Sequence, residues 1–358
     1  MKLLLCTLLL CLPGDVVSHN IKRSICTITP NNDPLLDDVP NILAALQECG
    51  DTGRIVIPLN QTFNIRSPLD LSLCQRCDFQ INGILRLSSD WDYWEKQAAV
   101  FRISNTTNIM LDSDGSTGLI DGNNFGWAVE PGVPIPERMP KLFSISDDSY
   151  QVHIRDLKIR NVPGTVFHVT SGSSAVRIYD VEIETAAHTA YLIEGVKHVY
   201  LWNNTIRATE ACVAIAPNAT NIQVEETRCL AYTREGRPPS GIELRLQGSG
   251  TEETNYIRNT FVKRFEAIGW MNVIGFIGGD SPSPQTFEIH NATFTDVTFG
   301  RFARQAAYLE QRDISLSATD ILFRNFVGTA QRESNLTCAH EGDVCDFKAE
   351  GWNVTITN

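Results

Sequence analysis

Two glutamates stand out as residues able to do chemistry on one another's neighbours: Glu210 and Glu243. A longer connection, from Tyr232 to Pro239, separates them. If the chain winds in coils of about 23 residues, they fall on successive coils, with His188 and Glu194 one coil earlier. A pair of carboxyl groups across a groove is what hydrolysis of a glycosidic bond requires: one acid for the leaving oxygen, one base for the attacking water. Trp202, Tyr200, Trp270 and Tyr191 supply flat aromatic faces suited to sugar rings, and Arg234, Arg237 and Arg245 supply cations. Each has a plainer reading. The two glutamates can be ordinary solvated acids in an acidic chain, the aromatic residues packing groups, and the arginines surface charges.

Other chemistries find little footing. There is no phosphate-cradling glycine loop and no serine-nucleophile elbow. Cys74-Gln-Arg-Cys77 is a CxxC, but no second CxxC or histidine pair joins it to make a zinc site. The histidines are scattered, and no coil concentrates aspartates for calcium. Neither a metal nor another cofactor is expected.

The elements that must position these residues are short alternating runs punctuated by Asn, Asp and Gly, which read as strands and turns. One helical pattern occurs, Val39–Cys49, with apolar Ile42, Leu43, Leu46 and Cys49. The strand pattern repeats. Val152–Ile159 recurs at Val176–Ile183, Val199–Ile206 and Ile222–Cys229, with starts 24, 23 and 23 residues apart. Looser copies begin at Phe287 and Asp320. Each copy has apolar residues at its first and third positions and a polar residue at the fifth, which is Asp or Asn in the three clearest copies and can turn the chain in a left-handed conformation. One such unit cannot bury its apolar face alone, but a stack can. The expected fold is all-β: a single-stranded right-handed parallel β-helix of at least seven coils over residues 52–330. Val152, Val176, Val199 and Ile222 should form one interior column, and the short helix should cap the N-terminal end. A sandwich of similar strands is the competing architecture.

The N-terminus sets the compartment. Lys2, an apolar run from Leu3 to Leu12, and Pro13-Gly14 before Val16-Val17-Ser18 read as a secretory signal peptide over residues 1–18. Residues 19–358 then form a single β-helix domain, secreted and extracellular, with no later apolar run long enough to cross a membrane. Beyond the signal, eight cysteines remain: Cys26, Cys49, Cys74, Cys77, Cys212, Cys229, Cys338 and Cys345, an even number that suits disulfides. Sequons at Asn60, Asn105, Asn203, Asn218, Asn291, Asn335 and Asn353 mark glycosylation candidates. A net charge of −12 argues against nucleic acid, and means that an anionic polymer needs a local basic patch. A monomer without membrane or nucleic-acid partners is expected.

Several motifs resemble those of the polygalacturonases, glycoside hydrolase family 28, and their exo-acting relatives. Trp202–Ile215 is similar to the stretch in which two aspartates precede Cys-Val-Ala, and Pro217–Ile222 with Cys229 continues the likeness. Leu119-Ile-Asp-Gly122, Trp127 and Trp91-Asp-Tyr-Trp94 resemble the early coils. The likeness covers roughly residues 23–330 and implies a pectin-lyase-like solenoid, inverting hydrolysis, and a pectin-like cell-wall polysaccharide (galacturonan or rhamnogalacturonan) as partner. The working residues do not carry across. Where the family has Asn-Thr-Asp-Gly, this chain has His188-Thr189-Ala190-Tyr191; the aspartate pair falls on Glu210-Ala211; the histidine falls on Ser240; and Arg-Ile-Lys falls on Gly269-Trp270-Met271. Hydrolysis by the family's usual route is therefore in question, and a carbohydrate-binding homologue without catalysis is the alternative. The candidates are Glu210 and Glu243 for catalysis, with His188, Tyr191, Trp202, Arg245 and Trp270 for substrate. The resemblance also implies a Cys212–Cys229 bridge. Cys338–Cys345 closes a short loop, and Cys26–Cys49 with Cys74–Cys77 is the favoured one of three pairings for the rest.

Overall fold

The computed structural model describes residues 23–123, 139–162, 164–185, 189–208, 210–231, 240–247, 254–269, 272–278 and 285–357. Residues 1–18, read above as a signal peptide, and His188, Trp270, Arg234 and Arg237 lie outside these residues. The chain is a right-handed parallel β-helix. Among the described residues, one strand per coil builds a nine-stranded sheet, and the remaining nineteen strands form a longer sheet that wraps the other sides. All the strand pairings are parallel, each coil resting on the next.

The reason these residues form coils is visible in one column. Val176 pairs with Val199, Val199 with Ile222, and Ile222 with Thr260, followed by Ala292 and Ile321. Val152, Val176, Val199 and Ile222 are all buried at 1% exposure or less. The fifth position of the repeat turns the corner: Asp156, Asp180, Asn203, Glu226, Arg264, Asp296 and Asn325 all have φ between +49° and +57°. Asn and Asp tolerate this left-handed conformation best. The later copies need correcting. In the structural register they begin at Ala292 and Ile321, not Phe287 and Asp320, and one more coil begins at Thr260. Thr260 is a buried hydroxyl in the apolar column, so the hydrophobic alternation that reveals the other copies breaks there.

Inside the nine-stranded sheet Phe101, Phe143, Phe167 and Tyr191 stack ring on ring, with centroids 4.9, 5.0 and 5.2 Å apart. That interval is close to the spacing of neighbouring strands, so equivalent side chains on successive coils meet face to face. The helix Val39–Cys49 packs Val39, Ile42, Leu46 and Cys49 into the N-terminal end of this core. Phe323, Phe326, Phe347 and Trp352 cluster at the other end. Four disulfides join Cys26 to Cys49, Cys74 to Cys77, Cys212 to Cys229 and Cys338 to Cys345.

On the outer face of the long sheet, Arg54 binds Asp78 at 2.6 Å and Arg155 binds Asp112 at 3.0 Å. Burial, reinforced by the Asp78 carboxylate, holds the Asp112 carboxyl above the usual aspartate range despite Arg155. Its ionised form is therefore disfavoured by the fold. This group helps stability most at low pH, and that help is lost as pH rises through its raised pKa.

Two measurements check these points. Phe167→Ala should cost about 3–5 kcal/mol in denaturant unfolding, because it opens a hole between two stacked rings. Asp112→Asn should raise the unfolding midpoint at pH 7, with the gain shrinking as pH falls through the raised Asp112 pKa towards the ordinary aspartate value. A gain that grew on acidification would contradict the sign.

Candidate functional site

The nine-stranded sheet brings together the positions where the sequence suggested chemistry. The strands Ala211–Ile215, Ser240–Arg245, Asn272–Ile277 and Gln305–Glu310 lie side by side, and Ala211, Ser240, Asn272 and Gln305 stand in register at their heads. Ala190 joins the same corner, its N–H donating to the Ala211 carbonyl at 3.0 Å. Ala190, Ala211 and Ser240 thus gather in one place on successive coils, but Ala190 and Ala211 present buried methyl groups.

A groove opens on the C-terminal side of this corner, with a volume of about 340 Å³. Ser240, Glu243, Asn272 and Tyr308 line it, with Glu310, Arg304 and Arg332 around them. Glu243 sits on its strand in register with Gly275 and Tyr308 of the next two coils, so its side chain points out of the sheet over a floor that Gly275 keeps low. The Glu243 carboxylate, 15% exposed, accepts the Arg245 Nε–H at 2.7 Å. Arg245 also donates through Nη2 to Thr189 Oγ1 at 3.1 Å, two coils back. The Glu310 carboxylate is paired with Arg312 at 2.8 Å.

Three features make the groove receptive to a polar chain. Asn272 is buried and lines the groove, yet its side-chain oxygen accepts no hydrogen bond from a described residue. Such an acceptor costs free energy unless a ligand or water satisfies it. Arg304 and Arg332 form no ion pair among the described residues, so they supply the local positive charge that the net charge lacks. Tyr308 contributes a half-buried ring beside them.

Against this geometry the sequence candidates separate. Glu243 lines the groove. Glu210 is exposed at the head of the preceding strand, where its backbone carbonyl accepts the Ser240 N–H, and it is not part of the described lining. Arg245 is near the groove but committed to Glu243 and Thr189. Tyr191 needs correction as a sugar-binding ring. It is wholly buried at the end of the aromatic stack, and burial pushes its hydroxyl pKa well up. Trp202 also needs relocating: it lies on the long sheet, and its Nε1–H donates to Glu226 at 3.0 Å. Asn272, Arg304, Tyr308, Glu310 and Arg332 were missed. Only the strand register puts them beside Glu243.

The sequons at Asn60, Asn105, Asn203, Asn291, Asn335 and Asn353 are exposed, while Asn218 is half-buried. Asn335 lies on the groove wall itself.

The parallel sheets and stacked coils define the class of right-handed parallel β-helix proteins. Within that class the chain belongs to the glycosyl hydrolases family 28, whose model matches residues 49–357. It is 28% identical to a probable endo-xylogalacturonan hydrolase A of Aspergillus niger and to the endo-xylogalacturonan hydrolase A of Aspergillus tubingensis; each match covers 93% of this chain and 85% of the relative. The crystal structure of the Aspergillus tubingensis enzyme superposes with a TM-score of 0.83 at 25% identity, covering 93% of both chains. A polygalacturonase from Erwinia carotovora shares the fold, with a TM-score of 0.66 at 15% identity over 94% of this chain and 93% of that one.

A double-mutant cycle tests the Glu243–Arg245 pair. Arg245→Met and Glu243→Gln should each cost roughly 1–3 kcal/mol in denaturant unfolding, since each strands a half-buried charged or polar partner. The double variant should cost clearly less than the sum. Additive losses would mean that the two side chains do not act on one another.

Proposed function

We propose that this is a secreted, extracellular protein whose groove at Glu243 engages a pectin-type cell-wall polysaccharide, of the galacturonan or rhamnogalacturonan kind, and holds it without the family's usual inverting cleavage. The observation that carries the binding half is the groove's polar inventory. The buried Asn272 amide oxygen, unsatisfied among the described residues, suits a sugar hydroxyl, and Arg304 and Arg332, which form no ion pair among those residues, suit uronate carboxylates. Family membership and the relatives' names point to the same class of polymer. The four disulfides suit an oxidising compartment. A monomer acting on the polysaccharide, with no nucleic-acid or membrane partner, accords with this reading.

The doubt about cleavage rests on chemistry. Inverting hydrolysis needs an acid and a base on opposite faces of the bond, and methyl groups at positions 190 and 211 supply neither. Losing one such group costs about a hundredfold or more in rate. A second reading, a rebuilt glycosidase site, is favoured by one feature: Glu243 and Glu310 both line the groove. Under that reading these two replace Glu210 and Glu243 as the acid and base pair.

Reducing-end release from polygalacturonate, xylogalacturonan and rhamnogalacturonan, measured alongside binding to the same polymers, separates the readings. Binding without new reducing ends is the expected result. If one polymer is cleaved and Glu243→Gln lowers that rate by about a hundredfold, the rebuilt site is the correct reading. Glu210→Gln should leave binding unchanged.

A further inference from the structure

The long sheet carries a second concave surface, on a different sheet from the groove at Glu243. Four successive coils enter this region through left-handed residues: Ala175, His198, Asn221 and Asn259, with φ of +55°, +60°, +58° and +54°. The repeated bend leaves a furrow that runs across the coils, with a volume of about 1020 Å³. Arg177, Tyr200, Gln223 and Phe261 stand in register along its floor, and Tyr150 flanks it. Four strands at the usual spacing make it on the order of 14 Å long, enough for several sugar units.

The chain carries a net charge of −12, yet among the described residues no Asp or Glu lines the furrow. Arg177 is exposed and makes no hydrogen bond or ion pair with any described residue. The nearby acids Glu225 and Glu226 are engaged by Arg264, and Glu226 also accepts the Trp202 Nε1–H. Tyr200 and Phe261 are half-exposed rings without a described aromatic partner, and the Asn221 and Asn259 amides form a ladder at 3.0 Å along one wall. Rings, amides and one unpaired guanidinium together suit a hydroxyl-rich chain that bears carboxylates.

We propose that this furrow is a second glycan-binding surface that holds an acidic polysaccharide, with the Tyr200 and Phe261 rings against sugar faces and Arg177 on a uronate carboxylate. Its role would be to anchor polymer across one sheet while a segment occupies the groove on the other, raising the effective concentration there. The assignment stands on its own residues and does not depend on the reading of the Glu243 groove.

The test uses the full-length secreted protein, its Arg177→Ala/Tyr200→Ala variant and a Tyr308→Ala/Arg332→Ala variant, each checked for folding by circular dichroism. Binding to long polygalacturonate is measured by affinity electrophoresis and calorimetry, with neutral galactan as the comparison. The furrow variant should lose at least about tenfold in affinity for polygalacturonate, as expected for a lost charge-assisted hydrogen bond and a lost stacking face. It should do so whether or not the groove variant is impaired, and galactan should bind more weakly than polygalacturonate. Wild-type affinity in the furrow variant, equal binding of galactan, or no polygalacturonate binding by the parent protein would each overturn the proposal. Loss in the furrow variant with an unaffected groove variant would leave this surface standing and remove the groove at Glu243 instead.

Discussion

The structure depends on one constraint: each coil must lie on its neighbour at the separation of hydrogen-bonded strands. A single coil has an apolar inner face and nothing to bury it against, so stability comes from stacking. Once stacked, equivalent positions line up, and the interior becomes columns of like residues. The aromatic column from Phe101 to Tyr191 and the aliphatic column from Val152 to Ile222 are two results of this rule. The ends have no further coil to rest on, which is why a helix covers one and an aromatic cluster the other.

The same stacking organises the outside. A residue pointing outward on one coil has its counterparts directly above and below, so polar side chains form rows. Arg54 with Asp78, and Asn221 with Asn259 and Asn291, are rows of this kind. A functional groove in this architecture is therefore a row whose members stop satisfying one another. At Glu243 the row is nearly closed, since Arg245 donates both to the Glu243 carboxylate and to Thr189 Oγ1. Farther along, Asn272, Arg304 and Arg332 leave bonds open. Among the described residues, these open polar groups lie on the coils after Glu243.

This arrangement separates scaffold from chemistry within the family. The fold persists at 25% identity to the Aspergillus tubingensis structure because columns need only apolar residues of suitable size. A catalytic pair tolerates no such exchange, since a methyl group cannot move a proton. Ala190 and Ala211 are small and buried, as the interior of the stack allows.

By itself the sequence determined the periodic part of the molecule. The alternation in Val152–Ile159 and its copies, the turn residues at the fifth position and the amphipathic run Val39–Cys49 are local patterns, and each became the element its pattern implies. Tertiary structure alone decided what meets across coils. Thr260 hid one coil because a buried hydroxyl looks like an exposed one in a linear chain, and the register of the last copies slipped with it. Tyr191 looked like a surface ring until the stack took it inside, while Trp202 went to another sheet. The approach of Glu243 to Tyr308 two coils on, and of Arg245 to Thr189 two coils back, depends on connections of unequal length. Local sequence carries no count of how many loop residues a coil will use, so only the closed stack brings such distant positions to one groove.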